Sequence, residues 1–151
     1  MGDNKLFIGS TAGTISALDA ATGKILWERE THGSIYGNAA YRDGAVYVGN
    51  NAHKLIALDA ATGKILWEFS AKGIINTAPL AGPDFIYFGS WDKTFYVVER
   101  KSGKLLYSEE FNRPIKSSPI IYRNRIFFHT SNDHIYCLGN KQLVKKMDNK
   151  K

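Results

Sequence analysis

The chain has 151 residues, a formal net charge of +6, 44% hydrophobic residues and 13% aromatic residues. This composition is typical of a soluble globular domain with enough material for one core. No apolar run approaches the length of a membrane span, and the first five residues are not followed by a hydrophobic signal core. The sequence therefore predicts no membrane span and no signal peptide, and it leaves the compartment open.

The positive charge is concentrated at the C-terminus. Residues 140–151 hold five lysines and one aspartate, a net +4, which leaves +2 for the rest of the chain. Such a tail is usually solvated, and no basic stripe is interleaved with stacking aromatic residues. We therefore expect no nucleic-acid partner.

An internal repeat organises the chain. The twelve residues 17–28, ALDAATGKILWE, recur unchanged as residues 57–68, and single positions recur at steps of 40. The repeated positions include Asp19, Asp59 and Glu99; Trp27, Trp67 and Tyr107; and Gly9, Gly49 and Gly89, followed by His129. The chain is therefore predicted to be an array of one supersecondary unit.

The apolar residues come in short β-branched and aromatic runs bounded by Gly, Asn, Asp and Ser, which is typical of strands. The predicted strands are 5–9, 14–20 and 24–29; 35–42, 45–50, 54–60 and 64–70; 75–81, 85–90, 94–99 and 105–110; and 115–122, 125–130 and 134–138, with a weak candidate at 142–147. Between the third and fourth strands, Asp19 and Asp59 are explained as turn residues, since Asp accepts backbone N–H bonds and the glycine four positions later takes positive φ.

Several predicted strands are apolar on both faces, as at Val46 and Val48 alternating with Ala45 and Tyr47. Such strands need cover on both sides. Four-stranded antiparallel sheets with a 40-residue period fit the blades of an all-β propeller better than a β-helix or a leucine-rich repeat.

The dodecamer, preceded by GAVYVGN at residues 44–50, resembles the pyrroloquinoline-quinone (PQQ)-type propeller repeat. The resemblance covers most of the chain. It implies that Trp27 and Trp67 dock against the adjoining blade, with Tyr107 at the third equivalent position. It also implies that the chain's relatives often work outside the cytoplasm.

The domain prediction is a run of PQQ-like repeats over residues 5–139, followed by the basic tail 140–151. It comprises a partial blade at 5–30, blades at 34–70 and 74–110, and a partial blade at 114–139. These three and a half blades are fewer than a usual ring of this family. We expect either a fragment of a longer protein or a half-ring that closes by self-association; a strained small ring is a third choice.

The sequence predicts no catalytic residue, metal ligand or cofactor. It has no cysteine pair of the kind found in many quinoprotein dehydrogenases, no calcium-loop spacing, no paired histidine ligands and no serine nucleophile elbow. Cys137, the single cysteine, is predicted to be a buried and unreactive thiol.

With no catalytic or cofactor site predicted, the function that remains is binding of a partner. The loops between the second and third strands and those between blades differ among copies, and their side chains are free of packing demands. The predicted interaction residues are Asn51, His53, Trp91, Asp92, Arg113, Asn132 and His134. Trp91 is either an anchor for a protein partner or a cover for the end of a blade. The leading hypothesis is a non-catalytic protein-interaction scaffold; the alternative is a ligand-binding or sensor portion of a larger PQQ-dependent quinoprotein.

Overall fold

The computed structural model describes residues 3–139, which form strands joined by turns and loops. The strands are β1 (Lys5–Gly9), β2 (Thr14–Asp19), β3 (Ile25–Glu30), β4 (Ala40–Arg42), β5 (Ala45–Gly49), β6 (Lys54–Asp59), β7 (Ile65–Ser70), β8 (Leu80–Ala81), β9 (Phe85–Gly89), β10 (Thr94–Glu99), β11 (Leu105–Glu110), β12 (Ile120–Tyr122), β13 (Arg125–His129) and β14 (Ile135–Gly139). The predicted basic tail and the weak strand at 142–147 lie outside the described residues.

The strands form four antiparallel sheets in which each strand pairs with its neighbours in sequence. The first sheet is β1–β3, the second β4–β7, the third β8–β11 and the fourth β12–β14. The pairing register shifts at the same place in the first three sheets, between Ala17 and Leu18, Ala57 and Leu58, and Val97 and Val98. This repetition confirms the predicted all-β class and its four-stranded unit.

The second and third sheets pack against neighbours through apolar side chains on both faces, and the first and fourth sheets do so on one face each. We call the face toward the following sheet the leading face and the opposite one the trailing face. Between the second and third sheets, Tyr47 and Leu55 of one leading face pack in a single cluster with Phe88 and Val98 of the next trailing face. Equivalent clusters join the first sheet to the second and the third to the fourth. The core is therefore divided into three layers between sheets.

The first strands of the second, third and fourth sheets are shorter than predicted. The predicted strands began at Ile35, Ile75 and Ile115, whereas β4, β8 and β12 begin five residues later. The N–H groups of these isoleucines instead donate to the carbonyls of Ser10, Asn50 and Ser90 in the preceding sheet. The first residue of each predicted strand therefore connects two sheets by a hydrogen bond, and the strand itself begins later.

The isoleucines fit because a glycine faces them. A Cβ added at Gly9, Gly49 or Gly89 would lie 2.2, 2.3 or 2.1 Å from the Cγ2 atom of the following sheet's isoleucine. Real Cβ contacts are not this short, so the repeated glycine is required for close approach of neighbouring sheets.

The prediction that Cys137 is buried was wrong: its side chain is exposed. The equivalent residues Ala17, Ala57 and Val97 are at most 1% exposed because the next sheet covers them. Cys137 lies on the leading face of the fourth sheet, which no other described sheet covers.

Candidate interaction face

The variable loops gather along one edge of the sheets, where a backbone hydrogen bond holds each of three loops against a linker between sheets. The N–H groups of Asn51, Trp91 and Ser131 donate to the carbonyls of Ser34, Ile74 and Pro114, at 2.9 Å in each case. The loops between the second and third strands are thereby fixed against the linkers that enter the same sheets. We call this edge the loop edge.

Buried polar residues anchor these loops, and the sequence reasoning missed them. Asn50, Ser90 and Thr130 are 0% exposed, although each is polar. The Asn50 side-chain N–H donates to the Thr31 carbonyl at 3.0 Å, and the Ser90 hydroxyl donates to the Ile74 carbonyl at 3.1 Å. A polar residue that recurs every 40 positions directly after the second strand was the available signal, because a buried polar group needs a partner.

Trp91 stands at the loop edge of the third sheet with 39% of its surface exposed. The Lys116 ammonium lies 4.5 Å from the centroid of its ring, in cation–π geometry. Such a contact is worth about 0.5–1 kcal/mol at an exposed site. The ring is therefore held over the linker into the fourth sheet while one side stays open to solvent.

Asp92 holds its loop together. Its carboxylate accepts hydrogen bonds from the Lys72 and Thr94 N–H groups, both at 2.9 Å, and from the Tyr96 hydroxyl at 2.7 Å. Burial and this hydrogen bond raise the pKa of Tyr96 to about 12. The Asp92 carboxylate thus accepts its hydrogen bonds from groups of the chain itself.

The seven predicted interaction residues fall in four separate segments of the loop edge. Asn51 and His53 share the second sheet's loop, and Arg113 is exposed in the linker to the fourth sheet. In the fourth sheet's loop, Asn132 accepts a 2.6 Å hydrogen bond from the Thr130 hydroxyl, and its Nδ2 lies 3.5 Å from Nδ1 of His134.

Exposed cations accompany Trp91, and of these only Arg113 was singled out from the sequence. These side chains are Lys72, Lys93, Arg113 and Lys116. Lys72 is tied to the Trp91 loop by its N–H, which donates to Asp92; Lys93 lies within that loop, and its carbonyl accepts from the Phe111 N–H of the linker into the fourth sheet. Trp91 with these four cations is named the Trp91 patch. The sequence did contain a signal for this patch. The linkers into the third and fourth sheets carry lysine and arginine, and the linker into the second sheet has fewer of these residues.

The opposite edge carries the repeated turns. In the second sheet, Oδ1 of Asp59 accepts hydrogen bonds from the N–H groups of Ala61 and Thr62 and from the Thr62 hydroxyl. These bonds, with the Thr62 hydroxyl contributing most, lower the pKa of Asp59, and the same pattern lowers that of Asp19. Both carboxylates therefore accept hydrogen bonds within their own turns.

The two repeated tryptophans each reach the next sheet. The Trp27 indole N–H donates to the Ala60 carbonyl at 3.1 Å, and the Trp67 indole N–H donates to the Arg100 carbonyl at 3.0 Å. Tyr107, at the third equivalent position, is buried between the third and fourth sheets and its hydroxyl donates to the Glu109 carboxylate. Burial, followed by this bond, raises the pKa of Tyr107.

Among residues 3–139, no three His, Cys, Asp or Glu side chains lie close enough together to hold a metal ion. No helix in that range has the length and apolar character needed to cross a bilayer.

Comparison with known structures identifies the same fold. BamB from Moraxella catarrhalis superposes with a TM-score of 0.83 and 21% identity over 92% of this chain. The computationally designed Ika4 protein gives a TM-score of 0.83 and 20% identity over 92% of this chain and 87% of its own. The chain spans 44% of the length of the M. catarrhalis protein.

Comparison with curated proteins found no match. A family profile described as outer membrane protein assembly factor BamB matches residues 11–88, which is more than half of the chain. The sheets, the repeat and this match together show that the chain belongs to the BamB-like family of PQQ-repeat β-propellers.

Proposed function

We propose that the chain is a non-catalytic β-propeller module that acts as a protein-interaction scaffold through its loop edge. The observation that carries this proposal is the Trp91 patch, an exposed aromatic ring accompanied by four exposed cations. Aromatic and arginine side chains are the ones most often found to anchor protein interfaces.

The patch is supported by ordered backbone, which favours binding. The Trp91 N–H bond to Ile74 and the three bonds accepted by Asp92 hold the loop in one conformation before any partner arrives. A surface that is already ordered loses less conformational entropy on association.

The charges of the patch suggest the chemistry of the partner. Lys72, Lys93, Arg113 and Lys116 present positive charge, while the nearby Asp92 carboxylate is already occupied by internal hydrogen bonds. Complementary charge raises the association rate and sets orientation. The partner we propose is an acidic protein segment with one apolar side chain that packs on Trp91.

A displayed library of random peptides tests this proposal. The full chain should select acidic peptides that contain an aromatic or aliphatic residue, and Trp91→Ala and Lys116→Ala should each weaken their binding at least tenfold, about 1.4 kcal/mol. Lys64→Ala removes another exposed lysine, at the opposite edge, and serves as the charge-matched control. Selected peptides that bind both patch variants as tightly as the unmodified chain would refute the role of the patch.

The family relationship supports the same conclusion. The matched profile is described as an outer membrane protein assembly factor. Because the chain spans less than half of the M. catarrhalis BamB structure, that activity is part of our proposal for this chain. We further propose that a protein partner or a second copy of the chain completes the propeller, with no nucleic acid involved.

The alternative role, a ligand-binding portion of a larger quinoprotein, has a direct test. A ligand that binds only the folded state raises the melting temperature. Addition of PQQ and calcium to the purified chain should leave the melting temperature unchanged if the scaffold proposal is correct, and a concentration-dependent rise would favour the alternative.

A further inference from the structure

We infer that two copies of this chain close into one ring, with the fourth sheet of each copy packed on the first sheet of the other. This inference develops the self-association proposed above and is independent of the Trp91 patch. It rests on the two end faces of the array, whose residues repeat the pattern of the three interfaces already present inside the chain.

The leading face of the fourth sheet has the composition of a buried interface. Ile135 is 77% exposed and Ile120 is 62% exposed. The residues equivalent to Ile135 in the other sheets, Ile15, Leu55 and Phe95, are all 0% exposed. Together with Phe127 and Cys137, these side chains form an apolar surface at the end of the array.

The trailing face of the first sheet is the matching surface. Leu6, Ile8 and Leu18 lie on it, and Ile8 is 53% exposed, whereas the equivalent Val48 and Phe88 are 0% exposed. A leading face packs on a trailing face three times within the chain. A fourth sheet placed on the first sheet of another copy continues this established pairing.

The first sheet also carries an open docking position for a preceding sheet. Gly63 and Gly103 are buried beneath the Trp27 and Trp67 rings, and an added Cβ would lie 2.6 and 2.5 Å from ring atoms. Gly23 lies in an identical turn, has φ of 71°, is exposed and has nothing near its Cβ position. At this turn, the trailing face of the first sheet therefore resembles the trailing faces of the second and third sheets, which are covered.

His129 marks a repeated position at which the fourth sheet differs from the three sheets before it in the described chain. It occupies the position of Gly9, Gly49 and Gly89, where a Cβ would collide with the isoleucine that enters ahead of the next sheet. A sheet packed on the leading face of the fourth sheet therefore meets histidine where the internal interfaces have glycine.

The arrangement has a definite stoichiometry. A last-on-first contact is heterologous, so it closes only when the rotation between copies completes a circle. Two copies bring together eight sheets, which lies within the range of about four to eight blades seen in propellers. Closure buries the two exposed end faces of the described sheets in both copies.

The test uses the full chain and two single substitutions at opposite ends. By light scattering the unmodified chain should have the mass of two chains, while Ile8→Lys and Ile135→Lys should each be monomeric at the same concentration. Both side chains are more than half exposed within one chain, so the variants should keep the wild-type circular dichroism spectrum. Leu66→Lys, at a 52% exposed position on β7, should remain dimeric.

Mixing the two variants distinguishes this contact from a like-with-like contact. A mixture of Ile8→Lys and Ile135→Lys retains one interface with neither substitution, so it should recover a two-chain species that neither variant forms alone. A like-with-like contact would be lost in only one of the two variants, and that result would overturn the inference.

Cys137 provides a second readout. In the unmodified chain, the reaction of Cys137 with a thiol reagent should slow in proportion to the fraction of dimer. Ile8→Lys, although it lies at the other end of the array, should restore the fast reaction because it prevents dimer formation. A monomeric mass at every soluble concentration, with a fast thiol reaction throughout, would overturn the inference. These measurements do not involve the loop edge, so their failure is distinct from failure of the peptide selection.

Discussion

Replacement of Trp67 by alanine should strongly destabilise the chain. The side chain lies between the second and third sheets, where its ring packs over Gly103 and its indole N–H donates to the Arg100 carbonyl at 3.0 Å. Deletion of a large buried aromatic side chain costs about 3–5 kcal/mol, because the lost contacts leave a cavity. Because Trp67 is partly rather than fully buried, we expect a loss near the lower end of this range for Trp67→Ala.

A second substitution separates the ring from its hydrogen bond. Trp67→Phe keeps an aromatic ring near Gly103 but removes the donor to Arg100, and a hydrogen bond of this kind contributes about 0.5–1.5 kcal/mol. The smaller ring also loses some contact area, so Trp67→Phe should cost about 1–2 kcal/mol. Most of the effect of Trp67→Ala should therefore come from packing between sheets.

Urea denaturation at a fixed chain concentration measures these differences, since self-association would otherwise change the apparent stability. Trp91→Ala is the matched control, because it deletes an indole that is 39% exposed at the loop edge, and it should cost less than about 1 kcal/mol. A loss below about 1 kcal/mol for Trp67→Ala would refute the conclusion that this indole secures one sheet to the next.

Three further predictions concern the spacing of the sheets, the turns and the loop edge. Gly89→Ala should cost at least about 1–3 kcal/mol in urea denaturation, because the new Cβ would lie 2.1 Å from the isoleucine of the next sheet, while Gly139→Ala, with open space at its Cβ, should cost less than about 0.5 kcal/mol; equal costs would contradict the close-approach argument. The lowered pKa of Asp59 means that its turn bonds stabilise the fold above the unfolded-state pKa of about 3.9 and lose this effect as pH falls through the lower folded-state value. The stability difference between the unmodified chain and Asp59→Asn should therefore narrow below about pH 4, and a constant difference would argue against the charged turn. Asp92→Asn should cost about 1–3 kcal/mol and lower the pKa of Tyr96 from about 12, measured by absorbance at 295 nm against Tyr96→Phe; because burial is the larger cause, that pKa should stay above its ordinary value.

The amino-acid sequence determined the repeating unit of this protein. Strand alternation and turn chemistry are local properties, so the 40-residue step and the identical dodecamers at residues 17–28 and 57–68 were sufficient to predict the four sheets. The bonds of Asp59 with Thr62 follow the same local logic, since the interacting residues lie three positions apart.

Tertiary structure decided which side chains are covered and which hydrogen bonds leave the strands. Ile75 reads as a strand residue, yet its N–H bonds to Asn50 of the preceding sheet, and Asp92 reads as a free loop carboxylate, yet it joins Lys72 to Tyr96. Cys137 occupies a position that is buried in every other sheet and is exposed because no described sheet follows it. Burial depends on a neighbour distant in sequence or in another molecule, and local periodicity carries no information about whether that neighbour is present.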